Sequence, residues 1–469
     1  MIFMRTISTK RTQCRLARYV LVLLAAMLVG LVGSGEGQAL TLEEALSAAY
    51  EENPTLRAAR AQLRGVNEQV PQALSDWRPD VTVSTSTAQT FVDTDTGNEE
   101  NFTNPADAQV ILSQPLYRGG RTLAGTRRAE NDVRAERERL KAVEQAVLLQ
   151  GVTAYMDVWR DEAVLRLNIN NEQVLRRQLE ASQDRFSVGE ITRTDVAQSE
   201  ARLARATADR IQAEGDLTAS QAIFREIVGL EPVSLERPPK VPGIPGAQDQ
   251  VVTEARSQNP NVAAAEFAER SAQDEVRVRT GELLPTVSLE GSVSRSTNDL
   301  SDDADTTQAQ VLAQVTVPIY QSGFVYSRIR EAKQVSGQRR LEVDEARRRA
   351  EQEGISAWES LTTARAQIAS FQSQVRSNEI ALDGVRQENA VGARTILDIL
   401  DAEQELLDSQ VNLVRAERDE VVANYEVLGA VGRLTATDIL LPVEIYDAED
   451  DYEAVRDSWF GLGAPGAGN

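Results

Sequence analysis

The residues best placed to do chemistry stand in two copies of one short pattern. Val188-Gly189-Glu190-Ile191-Thr192-Arg193-Thr194-Asp195 and Val391-Gly392-Ala393-Arg394-Thr395-Ile396-Leu397-Asp398 share V-G-x-x-T-x-x-D at an offset of 203. A glycine able to take the left-handed conformation, then a threonine with a carboxylate three residues on, reads as a helix C-cap joined directly to a helix N-cap. The chemistry on offer is polar and non-covalent. Thr192/Asp195 and Thr395/Asp398 fit a capping box, which satisfies helix amides and does not exclude a second role for the carboxylates. Arg394 and Asp401 stand apart, because their first-copy equivalents, Ile191 and Gln198, carry no charge. The plain alternative for these two is a solvated helix charge.

Covalent chemistry has little to work with. There is no histidine, and the one cysteine, Cys14, lies near the amino terminus; the commonest general bases, nucleophiles and transition-metal ligands are missing. Gly461 to Gly466 fits G-x-G-x-x-G but has no helix after it to receive a pyrophosphate. Asp93-Thr-Asp95-Thr-Gly97 resembles a calcium loop, yet its glycine comes one place early and the distal glutamate is absent, so a polar hairpin loop is expected. No enzyme, cofactor or metal is expected. The net charge of -22 over 469 residues argues against nucleic acid as a partner.

The elements that hold the two patterns are long. No proline occurs between Pro115 and Pro232, or between Pro318 and Pro442, and only the Val-Gly tips interrupt these runs strongly. A rising helix from Gly120 to Val188, on the order of 100 Å, and a return arm from Thr192 to about Gly229 are predicted, with the same hairpin repeated later. Leu400, Leu407, Val414, Val421 and Leu428 recur every seven residues in the second return arm; Val196, Leu203, Leu217 and Phe224 do likewise in the first, with small Ser199, Ala206, Ala213 and Ser220 between. Such a narrow seam requires neighbouring helices, in coiled-coil fashion.

Ahead of each hairpin the period changes from helix to strand. Asn53-Pro54 and Asn259-Pro260 break short amphipathic helices; then Val81 and Val83 alternate with polar residues, as do Val110 and Leu112, Val287, Leu289 and Val293, and Val311, Ala313, Val315 and Val317. The Asn-Pro pairs lie 206 apart and the Val-Gly tips 203 apart, so one unit of about 200 residues is duplicated. The expected organisation is a signal peptide at 1–39, a first repeat at 40–230, a proline-rich linker at 231–250, a second repeat at 251–432 and an acidic tail at 433–469. The leader has basic Arg5, Lys10, Arg11, Arg15 and Arg18, an apolar core from Tyr19 to Val32 and small residues before Leu40. Cys14 precedes that core, so it is no lipoprotein cysteine.

The four strands limit the architecture. Weakly alternating strands of about 10 to 13 residues joined by polar loops suit an outer membrane, but four cannot close a barrel and open edges are excluded in lipid, so several protomers must pool theirs. A pair of soluble hairpins capping a helical rod is the other reading of the same period.

The leader, the Leu-Thr-Leu-Glu-Glu-Ala-Leu start, the Asn-Pro breaks, the Gln-Pro-Leu-Tyr-Arg-Gly-Gly and Val-Pro-Ile-Tyr-Gln-Ser-Gly strand exits and both tips together resemble the TolC family of outer membrane efflux proteins. The resemblance spans essentially the whole mature chain. It implies a mainly α protein with a small β-barrel: duplicated long antiparallel helical hairpins forming an α-barrel tunnel, plus four membrane strands per protomer in a trimeric 12-stranded barrel. The implied function is the passive exit duct of a tripartite efflux pump or type I secretion system, in the outer membrane with a large periplasmic portion. Implied partners are two further copies in a homotrimer, outer membrane lipid, a periplasmic adaptor (membrane fusion) protein and an inner-membrane transporter of the RND or ABC type.

Roles are implied residue by residue. Val188, Gly189, Thr192, Val391, Gly392 and Thr395 would form the adaptor-docking tips. Thr194 and Arg394 match a polar pair tying neighbouring coils closed, and Asp195 a constriction aspartate. Asp398 and Asp401 match two aspartate rings at the entrance, which three-fold repetition would make cation-selective. Asn389 departs from the pattern by replacing a constriction tyrosine, though an amide could still donate to Asp195. The alternatives to a duct are a non-conducting coiled-coil envelope scaffold or adhesin, which would lack internal duplication, and an adaptor, which would carry a single hairpin.

Overall fold

The computed structural model describes residues 40–92, 101–239, 243–297 and 305–463. The leader at 1–39, the loop at 93–97 and the end of the glycine-rich tail lie outside them. Each half starts with short helices. α1 (Leu42–Glu52) opens on a Thr41/Glu44 capping box, and Asn53 ends it and caps α2 (Pro54–Asn67), with proline at the first helical position where no amide is missed. α3 (Gln69–Ser75) then leads into β1 (Asp80–Thr87). The second half repeats this with α6 (Gln248–Gln258) and α7 (Pro260–Gly281), broken at Asn259.

The duplication extends to single hydrogen bonds. Asn53 Nδ2 donates to Ile227 O at 2.9 Å, and Asn259 Nδ2 donates to Ala430 O at 3.1 Å. Both asparagines are buried. Each thus caps a short helix with its oxygen while its amide satisfies a carbonyl at the end of a return arm.

After the first strand come β2 (Thr90–Val92) and β3 (Asn101–Thr103), a short arm pairing with itself, then β4 (Ala106–Arg118), β5 (Thr286–Thr297) and β6 (Asp305–Thr316). The order is β1-β4-β5-β6, all antiparallel, so the two hairpins merge into one sheet. Its register separates two faces. Val81, Leu112, Gly291 and Val311 lie side by side, and Val83, Val110, Val293 and Ala309 form the next row, whereas Thr82, Ile111, Ser292 and Gln310, then Ser84, Gln109, Ser294 and Gln308, line the opposite face. A sheet apolar on one face and mostly polar on the other, with its large apolar residues exposed, is built for lipid outside and water inside. β1 and β6 have no second neighbour among the described residues.

From the sheet the chain enters α4 (Arg121–Ser187) and returns in α5 (Arg193–Val228); the second hairpin is α8 (Phe324–Ala390) and α9 (Ile396–Ala430). Each rising helix has 67 residues, hence a length of about 100 Å. The seam of α9 buries Leu400, Leu407, Val421 and Leu428. That of α5 differs from expectation: Ser199, Ala206, Ala213 and Ser220 are buried, whereas Val196, Leu203 and Leu217 are half-buried. Small side chains let α5 approach α4 closely and push the larger ones to the flank.

The main core lies midway, where α1 and α2 pack on α4, α5 and α9 through Leu46, Leu56, Leu148, Tyr155, Phe224 and Leu428. Each such large side chain contributes about 1.5–3 kcal/mol by burial. Tyr155 also pins the linker, accepting from the Glu236 amide at 3.1 Å while its hydroxyl donates to Leu40 O at 2.7 Å. Burial pushes its phenol well above the ordinary value. The acidic tail wraps rather than trailing: α10 (Ala448–Arg456) sets Tyr452 against the Val70–Val133 cluster.

Candidate functional site: the paired hairpin tips

Both tips are built alike. Gly189 and Gly392 take φ of 82° and 78°. Glu190 N donates to Arg185 O and Gly189 N to Phe186 O, at 2.9 and 3.0 Å; Ala393 N to Glu388 O and Gly392 N to Asn389 O repeat this at 2.9 Å each. This double closure needs the left-handed residue that glycine supplies. Val188 and Val391, at the turns, are 71% and 81% exposed.

The capping boxes are present in full. Thr192 N donates to Asp195 Oδ2 at 2.9 Å and Asp195 N to Thr192 Oγ1 at 3.3 Å; in the second tip, Thr395 N donates to Asp398 Oδ2 at 2.8 Å and Asp398 N to Thr395 Oγ1 at 3.3 Å. The Thr395 amide and hydroxyl hold the Asp398 carboxyl below its ordinary pKa, and Arg394 adds a smaller effect. Asp398 is therefore ionised at neutral pH.

Beyond the caps the tips diverge. Arg394 Nε donates to Glu388 Oε2 at 2.9 Å and its guanidinium lies 3.8 Å from Asp398, so within one chain it is held in its own tip. Asn389 Nδ2 donates to Arg394 O at 2.8 Å. Among the described residues, Thr194 makes no side-chain hydrogen bond within the protomer, and none links Arg394 or Asn389 to Asp195. The first tip instead lays Ile191 on a small apolar cluster of Leu175, Ala206, Ile396 and Leu400, which joins the two hairpins.

One contact was not foreseen from sequence. Arg202 of α5 donates to Asp401 of α9, an ion pair between hairpins with Arg202 half-buried and Asp401 exposed. Nearby, buried Glu403 receives Arg386 Nη2 at 3.0 Å, which fastens α9 to α8. The signal for the first contact was available as a charge exchange between repeats: Gln198 stands where the second copy has Asp401, and Glu405 where the first has Arg202.

The model of the outer membrane efflux protein family matches residues 45–230 and 251–433, both halves and all four tip helices. The chain belongs to the outer membrane efflux protein family. Among its relatives, the outer membrane efflux protein BepC of Brucella suis biovar 1 (strain 1330) is 36% identical over 447 residues, covering 95% of this chain and 97% of that one. The outer membrane protein TolC of Vibrio cholerae serotype O1 (strain ATCC 39315 / El Tor Inaba N16961) is 25% identical over 409 residues, 85% and 92% of the two chains. In fold, the CmeC outer membrane channel of Campylobacter jejuni superimposes with a TM-score of 0.77 at 17% identity, over 89% of each chain.

As a member of this family the protein is an outer membrane channel with a long periplasmic tunnel, not an enzyme. Channels of this kind are homotrimers and work in tripartite systems with adaptors and inner-membrane transporters. Three four-stranded sheets then make the 12-stranded barrel that removes the open edges of β1 and β6.

Proposed function

We propose that this chain is the passive exit duct of a tripartite efflux pump, and that its gate is the ring of hairpin tips, opened when an adaptor and an inner-membrane transporter of the RND or ABC type dock there. One observation carries the gate: at the tip end, the two hairpins of a protomer are joined by a four-residue apolar cluster and the Arg202–Asp401 pair, while each hairpin is sealed along its whole length. Parting them breaks contacts that are individually modest and leaves each coiled coil folded. Efflux rather than protein secretion is supported by the Brucella relative, which is named for efflux.

In this reading Val188, Gly189, Thr192, Val391, Gly392 and Thr395 present the docking tips. Thr194, Asp195, Asn389 and Arg394 tie neighbouring protomers, with Arg394 exchanging its Glu388 partner for an acceptor on the next chain. Asp398 and Asp401 form the entrance rings. Arg202 screens Asp401 while the hairpins are together, so opening the gate unmasks that ring and strengthens cation preference. Ion current through the purified protein in a planar bilayer tests this. The wild type should show a small cation-preferring conductance, and Arg394→Ala with Asp195→Ala should raise it several-fold. A wild type already fully open would remove these residues as the latch; no current from either inserted protein would remove the duct.

A further inference from the structure

The last described residues run back toward the membrane. Beyond α10, Arg78 Nη1 donates to Ser458 O at 2.6 Å and its guanidinium lies 4.8 Å from the Trp459 ring centroid. The ring of Phe460 follows at 6.3 Å from that of Trp459. Arg78 stands two residues ahead of β1, and its neighbour Trp77 accepts from Gln114 Nε2 through its carbonyl at 2.8 Å, near the exit of β4. Ser458 to Phe460 therefore lie where the strands hand over to the helices. That is the periplasmic rim of the barrel.

What the tail presents there is apolar and wet. Trp459 is 58% exposed, Phe460 90%, and Leu462 fully. The same end of the sheet carries exposed Trp77, Tyr117 and Tyr320. Aromatic residues at one level of a membrane barrel mark the headgroup interface, where an apolar ring body and a polar edge are both satisfied. The acidic residues of α10, Glu449 to Glu453, are held one helix further into the periplasm by Tyr452 and by Arg137, so they do not have to enter the interface.

We propose that Trp459, Phe460 and Leu462 form an interfacial anchor that inserts into the periplasmic leaflet of the outer membrane, with Arg78 as the clamp that aims it. The occupant of this patch is a phospholipid surface. The patch is continuous with the lipid-facing barrel, and three copies around a trimer give three anchors whose weak insertions act together. The inference rests on the chain's place in the outer membrane and not on the gate at the far end.

A depth measurement tests it on the full-length trimer. With Cys14→Ser in place, Phe460→Cys carries a nitroxide in vesicles of phosphatidylethanolamine and phosphatidylglycerol. Oxygen, which concentrates in the acyl region, should relax the label more than a water-soluble nickel chelate does, and adding Arg78→Ala should shift the balance toward the chelate. Dominance of the chelate in the Arg78 protein would overturn the anchor. So would a label shielded from both agents and identical in detergent and bilayer, which would mean that the tail packs on a neighbouring protomer. An unchanged balance after Arg78→Ala would overturn the clamp.

Discussion

The two halves of this chain differ little in backbone and much in charge. Gly189 and Gly392 take the same left-handed turn, the Thr192 and Thr395 capping boxes match bond for bond, and Asn53 and Asn259 each donate to the end of a return arm. Yet the first tip has Arg185 and Ile191 where the second has Glu388 and Arg394. The first is an apolar foot, and the second an ion-pair network. Duplication preserved what backbone geometry demands and released what only a neighbour can read. The rising helices diverge in the same way: α4 buries 23 residues within its own chain and α8 only 10, and α8 leaves Leu341 and Ile380 exposed.

Four pairs of substitutions press on that comparison. The sharpest contrast is between the glycines ending the return arms, Gly229 at φ 82° and Gly432 at φ 83°. A Cβ on Gly432 would stand 2.4 Å from Gln258 O, whereas on Gly229 it meets only the end of the Glu52 side chain at 3.3 Å. Gly432→Ala should cost about 3 kcal/mol and Gly229→Ala about 1 kcal/mol, visible as unequal drops in the melting temperature of the trimer. Equal drops would mean that the halves relax alike.

Next come the asparagine bridges. Asn259→Ala and Asn53→Ala should each cost about 2 kcal/mol, from a lost helix cap and a carbonyl left without its donor. Here the halves should agree, and melting of the two variants reads it.

The caps at the tips are worth less. Thr192→Ala and Thr395→Ala should each loosen their tip by about 1 kcal/mol, measured as faster amide exchange at the start of α5 or α9 with the melting temperature unchanged. Acid should loosen the second tip. Because the Asp398 carboxyl is held below its unfolded value, its stabilisation is complete above that value and is lost as pH falls through the folded one. Protection from exchange at the start of α9, relative to the intrinsic rate at each pH, should therefore fall below about pH 4, and Thr395→Ala should remove that dependence.

The smallest effect concerns selectivity. Arg202→Gln should raise the cation preference of the channel, and Asp401→Asn should lower it, read as opposite shifts of the reversal potential in a salt gradient. Shifts of the same sign would show that the pair acts on gating and not through its charge.

How much of this was legible in sequence follows how local each cause is. The tips could be read because a left-handed glycine and a threonine three residues before a carboxylate constrain their own backbone. The first rising helix, expected from Gly120 to Val188 inside a proline-free run, spans Arg121–Ser187, and its repeat spans Phe324–Ala390. The β4–β5 pairing was hidden, since each strand hairpin would satisfy itself locally and only the helices bring the two together. Helix rotation hid the rest. Whether Leu203 or Ala206 faces α4, and whether Arg202 meets Asp401, depends on close packing between small residues that a seven-residue repeat does not specify.

The unpaired edges of β1 and β6 also set how the protein behaves in a mixed population. Each barrel needs three good seams, and every chain contributes to two of them. A chain able to reach the membrane but spoiled at one edge would therefore act dominantly. Made in equal amount with the normal chain and mixed at random, it would leave about one-eighth of the trimers whole.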